Sequence, residues 1–361
     1  MTQQPKYRRI VDWVKSQVES GAINPGEKLN SENELAEMFQ MSRQTVRHAI
    51  SELEKEKIIE RRQGSGTYIS NVFKRRTENT MNIAVVTTYV DDYIFPSIIK
   101  GMEEVISDAG YTLQIAFTHN SVEKEYSVIK NILDRNMADG IIVEPTKSGI
   151  PNPNVELYNE IIQRDIPTIF FNSNYPQINL PYVVLDDRAT GYKAAKYLIE
   201  AGHTRIAGIF KSDDRQGHLR YAGYVQALAD AGLRLYDENV LWIDTEDLRN
   251  LSYESKRVLK RLRETTACVC YNDLAAQEIV KICGKNDIRI PEDLSIVSVD
   301  NSEIAANCKV PLTSVSHPKT ELGKKVASNL IKMIEGELAD ATYEFLPELT
   351  ERKSVKKIDE V

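Results

Sequence analysis

The chain of 361 residues has only four cysteines, and no run approaches the roughly 18–20 apolar residues that a membrane-spanning helix needs. The cysteines are Cys268, Cys270, Cys283 and Cys308. None has further Cys or His at ligand spacing, so a metal site is not expected, and reduced, buried thiols are. The opening "MTQQPKYRRIVDW" lacks the apolar stretch of a secretory signal, which predicts a cytoplasmic protein. Also missing are a phosphate-binding Gly-Lys-Ser/Thr loop, a nucleophile elbow and metal-spaced histidines. No catalytic residue, cofactor or metal is therefore expected, and the chain does not read as an enzyme. It contains no short internal repeat and no low-complexity segment.

What is present is a globular composition of unequal charge. The length suggests two or three domains, and a hydrophobic share of 42% argues against extensive disorder. Residues 1–76 hold 14 Lys and Arg against 10 Asp and Glu, a net charge of +4. The remainder holds 32 against 43, a net charge of −11. A basic end on an acidic body points to one end meeting a polyanion.

Residues 1–70 read as three helices and a hairpin. Ile10, Val11, Val14 and Val18 recur at helical spacing until "NPGE" (24–27) breaks the chain. Ser31 and Glu34 form a capping-box pair before Leu35, Met38 and Phe39, and Ser42 is a natural N-cap for the next helix. On that helix Val46, Ala49, Ile50 and Leu53 share one face, while Arg43, Gln44, Arg47, His48 and Ser51 share the other. Arginine pairs with guanine edges or phosphate and glutamine with adenine, so the polar face is suited to a DNA groove. His48 lies at its border, as a phosphate neighbour rather than a base reader. Arg61, Arg62 and Gln63 beside Gly64-Ser65-Gly66 complete a winged helix-turn-helix. The polar, basic stretch 71–80 reads as a linker.

The segment "PGEKLNSENELAEMFQMSRQTVRHAISELEKEKIIERRQGSGTYIS" resembles the DNA-binding domain of the gluconate-repressor (GntR) family. The resemblance implies that Arg43, Gln44 and Arg47 enter the major groove with Ser42 and Thr45 beside them. It places the wing residues Gln63, Gly64, Ser65 and Gly66 alongside, and phosphate anchors near Lys6, Ser31 and Glu32. Glu32 is also able to accept from a cytosine amine. Two positions depart from the pattern: Asn30 stands where the family usually has proline, and Lys57 where a glycine usually ends the recognition helix.

From residue 81 to the end the pattern changes to aliphatic runs alternating with amphipathic stretches. Nine strand candidates, from "NIAVVTT" to "SIVSVD", imply parallel sheets covered on both faces and two α/β subdomains. Ligands in such sheets sit beyond the carboxyl ends of strands. There the sequence places Tyr89, Asp91, Tyr93, Phe95, Glu144, Lys147, Asn172, Tyr175, Lys211, His218, Arg220, Asn272, Asp273, Asp300 and His317. Carboxylates and arginine bind sugar hydroxyls strongly without requiring an ionised ligand.

Residues 81–350 resemble the sugar-sensing domains of lactose/galactose-type (LacI/GalR) repressors, clearest in "RYAGYVQALADAG", "CVCYNDLAAQEIV" and "IPEDLSIVSVDNSEIA". The resemblance implies a two-lobed, periplasmic-binding-protein-like fold with crossovers near Asp186, Ser316–Pro318 and Ala339. Arg220 matches the family's Arg-x-x-Gly-aromatic motif and Asp300 its strand-end aspartate. The expected effector set is Tyr93, Glu144, Lys147, Tyr175, His218, Arg220, Asp273 and Asp300; Asp273 would alternatively cap the following helix. His203 reads as structural.

The expected organisation is therefore a winged helix-turn-helix over residues 1–70, a linker over 71–80, and an effector-binding and dimerisation domain over 81–361. This pairing of domains implies a dimeric transcriptional repressor of pentose-utilisation genes. It would bind palindromic operator DNA and be released by a small-molecule effector, L-arabinose. Two alternatives stand beside it: the same architecture answering to another sugar or a nucleoside, and a sugar-binding module whose N-terminal domain mediates protein contacts.

Overall fold

A computed structural model describes residues 5–19, 21–55, 58–62, 64–70, 80–89, 93–338 and 340–358. Lys57, Gln63, Asp91 and nearly all of the expected linker lie outside the described residues. The chain forms two compact units, Met1–Asn79 with Glu160–Ile166, and Thr80–Asn159 with Pro167–Val361.

The first unit contains α1 (Arg8–Glu19), α2 (Glu32–Phe39), α3 (Arg43–Lys55) and a hairpin of β1 (Ile59–Arg62) and β2 (Gly66–Ile69). Capping fixes where its helices begin. The Ser31 hydroxyl accepts from the Glu34 amide at 3.3 Å, and the Glu34 carboxylate accepts from the Ser31 amide at 2.7 Å. Gln40, left-handed at φ 50°, ends α2, and the Ser42 hydroxyl then accepts from the Thr45 amide at 3.2 Å. Ile10, Val14, Leu35, Val46, Ala49, Ile50 and Leu53 form one core with Ile58, Ile59 and Ile69 of the hairpin.

The second unit has two lobes, each around a six-stranded sheet. The first lobe begins with β3 (Asn82–Thr87), α4 (Phe95–Asp108), β4 (Thr112–Phe117), α5 (Val122–Arg135) and β5 (Gly140–Val143). It continues through α6 (Val155–Gln163), β6 (Thr168–Phe171) and β7 (Tyr182–Leu185). The second lobe begins with α7 (Asp187–Glu200), β8 (Ile206–Lys211), α8 (Arg215–Asp230), β9 (Val240–Ile243), α9 (Thr245–Asn250) and α10 (Ser255–Leu262). It goes on with β10 (Ala267–Cys270), α11 (Asp273–Lys285), β11 (Ser295–Asp300), α12 (Glu303–Asn307) and β12 (Thr313–Ser316). The chain then returns to the first lobe for α13 (Lys319–Ile334) and β13 (Tyr343–Phe345), and ends in the second with β14 (Glu348–Thr350).

The sheet orders are β13-β7-β6-β5-β3-β4 and β14-β12-β11-β10-β8-β9. All nine expected strands are present. Three more, β12, β13 and β14, complete the sheets, and β14 runs antiparallel to β12, a departure from the expected all-parallel pattern. Three crossings join the lobes. Two lie near Asp186 and Ser316–Pro318 as expected, but the third lies between Phe345 and Glu348 rather than near Ala339. Tight helix pairs flank the crossings. A Cβ on Gly191 of α7 would lie 1.9 Å from the Arg220 carbonyl oxygen of α8, so only glycine permits that approach. All four cysteines are buried and free. Among the described residues no helix is long and apolar enough to cross a membrane.

Candidate nucleic-acid interface and ligand cleft

The two faces of α3 are divided as its periodicity requires. Val46, Ala49, Ile50 and Leu53 are buried, and Ser42, Arg43, Gln44 and Arg47 are exposed, with Thr45 half-buried. The Ser42 and Thr45 hydroxyls lie 2.9 Å apart, which ties the N-cap to the first turn. Arg47 is not simply extended into solvent: its Nε donates to Glu32 Oε2 at 2.8 Å. This hydrogen bond, reinforced by the charge of Glu32, raises the Arg47 pKa and holds the side chain between α2 and α3. His48 packs against the Tyr7 ring with centroids 4.3 Å apart, which commits it to the approach to α1. Lys6 is exposed in the turn before α1, and Ser31 and Glu32 lie where α2 begins.

The hairpin supplies the wing. Gly64 and Gly66 have φ of 75° and 125°, and a Cβ on Gly66 would meet Lys28 Cε at 2.6 Å. The left-handed backbone at both positions favours glycine. Ser65 Oγ lies 2.6 Å from the Tyr68 hydroxyl. Arg62 is paired with Glu60 and lies 4.4 Å from the Tyr68 ring centroid, and Arg61 is paired with Glu54. The wing arginines are thus engaged locally, a feature the sequence reading did not anticipate.

Between the lobes of the second unit is a cavity of about 120 Å³ at the carboxyl ends of both sheets. The first lobe contributes Thr88, Tyr93, Asn120, Glu144, Asn172 and Ser173. The second contributes Lys211, Asp214, Gln216, Arg220, Tyr271 and Asp300. Arg220, 2% exposed, donates from Nε to Asp187 Oδ1 at 2.7 Å and from Nη1 to the Tyr271 carbonyl at 2.6 Å. Its Nη2 lies 3.6 Å from Asp300 Oδ1. Burial alone would lower the Arg220 pKa, but Asp187 and Asp300 outweigh it and keep the guanidinium protonated. Burial likewise pushes Asp187 up to about 6 against the pull of Arg220, which leaves it ionised at neutral pH. Lys211 is held the same way: burial opposes its charge, and Asp214 at 2.7 Å with Asp213 at 3.6 Å restores it.

Opposite this charged wall, Glu144 accepts from Thr87 Oγ1, the Thr88 amide and hydroxyl, and Asn172 Nδ2, at 2.6–3.1 Å. Burial nevertheless raises its pKa. Asn172 Oδ1 is buried with no hydrogen-bond partner. Such an acceptor is costly unless water or a ligand in the cavity donates to it. Tyr93 connects the lobes, its hydroxyl donating to Asp300 Oδ2 at 2.5 Å and accepting from the Asp273 amide at 3.2 Å. Fixed donors, fixed acceptors and a few rings suit a small polyhydroxylated molecule. Among the described residues no cluster of three or more His, Cys, Asp or Glu is placed to hold a metal ion.

Of the eight expected effector residues, Tyr93, Glu144, Arg220 and Asp300 line this cavity. The other four do not. Asp273 is buried behind it, its carboxylate accepting from Ser298, Ser314 and both the amide and hydroxyl of Ser302. Tyr175 is buried with its hydroxyl 2.7 Å from Glu125 Oε1 and 2.6 Å from the Thr146 carbonyl oxygen. Lys147 is half-buried on a left-handed backbone, its amide donating to Asn120 Oδ1. His218 is exposed, bonded to the Ser212 carbonyl and packed near Trp242. Thr88, Asn120, Ser173, Asp214, Gln216 and Tyr271 also line the cavity and are not among the expected residues; all but Gln216 lie within three residues of a strand's carboxyl end, and Gln216 is in the first turn of α8.

Comparison with known proteins places both units. Residues 6–69 match the family of bacterial regulatory proteins, gntR family, and residues 195–355 match the periplasmic binding protein-like domain. The chain is 38% identical over 359 residues to the arabinose metabolism transcriptional repressor of Geobacillus stearothermophilus, covering 98% of each. It is also 38% identical over 341 residues to the arabinose metabolism transcriptional repressor of Halalkalibacterium halodurans, covering 93% of this chain and 91% of that one. Among solved structures, the transcription regulator CcpA of Lactococcus lactis superposes with a TM-score of 0.69 at 24% identity, over 76% of this chain and 99% of that one.

Proposed function

The chain belongs to the arabinose metabolism transcriptional repressors, and from that premise we propose that it is a homodimer that L-arabinose removes from a palindromic operator. As a member of that family it is a DNA-binding repressor with a sugar-binding effector domain, not an enzyme. The finer claims rest on the two sites.

The observation that carries the effector reading is the pairing of Arg220 and Asp300 in the same cavity as the unpartnered Asn172 Oδ1, with Asp187 holding Arg220 from behind. In this reading a pentose hydroxyl donates to Asn172 while others bridge Arg220 and Asp300. Glu144 orients the ring from the first lobe. The charges are compensated within the protein, so a neutral sugar brings no unpaired ion into the cleft. At the head, Arg43, Gln44 and Arg47 read bases in the major groove, with Ser42 and Thr45 beside them. Lys6, Ser31 and the wing residues Gln63, Gly64, Ser65 and Gly66 hold the phosphate backbone. Glu32 acts through Arg47, which it orients.

Repression and release are linked equilibria. Sugar closes the lobes and changes the separation of the two heads in the dimer. Half-sites one helical turn apart, about 34 Å, then no longer match them. DNA and sugar must weaken each other by the same factor. Titration calorimetry of the protein against a panel of pentoses and hexoses tests the ligand. Heat with L-arabinose and little with hexoses is expected, and silence with L-arabinose would refute the assignment.

A further inference from the structure

Outside the small polar cavity lies a larger one of about 660 Å³. The two share six lining residues, Tyr89, Tyr93, Phe95, Lys211, Leu248 and Leu274, so they are neighbouring compartments of one cleft. Their chemistry differs. Three rings and two leucines among the shared residues form the partition between them; the inner side adds Glu144, Asn172, Arg220 and Asp300, and the outer side adds Tyr253 with the hydroxyls of Thr245 and Ser252 and the charged Arg249, Glu278 and Lys285. Tyr89 and Phe95 pack edge-on at 6.1 Å, and Tyr253 stands at the rim 88% exposed. Both lobes enclose the outer cavity, since Arg249 of the second donates to the Tyr89 hydroxyl of the first at 2.9 Å.

The basic groups around this cavity are largely neutralised. Lys211 is paired with Asp213 and Asp214, Arg249 with Glu246, and Glu278 stands near Lys285 while bonded to Lys281 and Ser252. An anionic substituent would therefore compete with carboxylates already in place. A neutral sugar ring, with C–H groups on its faces and hydroxyls at its edge, fits between Tyr89, Phe95 and Tyr253.

We propose that the cleft takes two linked sugar rings, a pentose in the inner cavity and a second neutral sugar ring in the outer one. This rests on the sugar reading of the inner cavity and extends the effector class to a short pentose oligosaccharide. The test is calorimetry of the full chain with L-arabinose, α-1,5-linked L-arabinobiose and L-arabinose 5-phosphate, repeated with Tyr253→Ala. Tyr253 lines the outer cavity alone.

Arabinobiose is expected to bind at least as tightly as L-arabinose. The variant should weaken arabinobiose by about fivefold, the contribution of roughly 40 Å² of apolar contact, and leave L-arabinose within about twofold. Binding of L-arabinose without binding of arabinobiose would overturn the two-ring cleft and leave the single-sugar reading standing. An unchanged arabinobiose affinity in Tyr253→Ala would overturn it too, as would a phosphate ester binding more tightly than arabinobiose. Silence with all three would overturn the sugar reading itself.

Discussion

Replacing Arg220 by methionine would leave Asp187 and Asp300, both within 5% of full burial, without their shared cation. Breaking one side of a buried ion pair costs about 3–5 kcal/mol. Urea denaturation of Arg220→Met is expected to show that loss, together with no calorimetric response to L-arabinose; a loss below about 1 kcal/mol would contradict the pairing. His317, on the second crossing, gives a pH signature. Burial holds its pKa down to about 4 from the ordinary 6.5, Asp300 opposing the shift while Lys319 and Arg220 reinforce it. Between those values the unfolded chain binds the extra proton. The contribution of the neutral ring is thus complete above pH 6.5 and lost as pH falls toward 4. Relative to His317→Gln, the native protein should lose roughly 2–3 kcal/mol of stability between pH 7 and 4.5. A difference that stays flat with pH would contradict this. At the head, Arg47→Ala should weaken operator binding by about 1–3 kcal/mol in an anisotropy titration, and an unchanged affinity would remove Arg47 from the interface.

Helices α7 and α8 approach so closely that Gly191 lies against the backbone of Arg220, and Gly223 of α8 against that of Arg188 in α7. An added methyl must push α8 away and carry Arg220 with it. Gly191→Ala is expected to cost about 1–3 kcal/mol by thermal or urea melting and to weaken L-arabinose binding in parallel; an unaffected sugar affinity would uncouple the helix pair from the site. Element-level physics also explains what was legible in the sequence. Caps at Ser31 and Ser42 located two helix starts, and nine aliphatic runs located nine strands, because burial on both faces writes itself as an unbroken apolar segment. β12 reads Thr-Ser-Val-Ser and β13 and β14 have three residues each, too short and too polar for such a signal. The third crossing was misplaced for that reason. The strand-end rule found the cleft but not its sides: Tyr175 and Asp273 follow strands as Asn172 and Asn272 do, yet point into buried hydrogen-bond networks. One residue separates Asn272 from Asp273 and three separate Asn172 from Tyr175, and composition does not record which of each pair faces the cleft.

Across the whole chain, charge and chemistry divide the work. A head of net +4 precedes a body of net −11, so electrostatic attraction to DNA is confined to one end and screened beyond about 10 Å at 0.1 M salt. Operator affinity should therefore fall steeply and log-linearly with salt, while sugar affinity, which involves no net ion uptake in the cleft, should barely change. Gel-shift and calorimetric titrations over the same salt series check both halves of that expectation. In this reading the DNA-binding and sugar-binding sites form one linked system. That linkage is read from the operator dissociation constant, measured by fluorescence anisotropy at fixed salt with and without saturating L-arabinose. Saturating L-arabinose is expected to weaken operator binding roughly 5–150-fold, mirrored by the same factor in sugar affinity when DNA is bound. An operator affinity unchanged at saturating L-arabinose would contradict it.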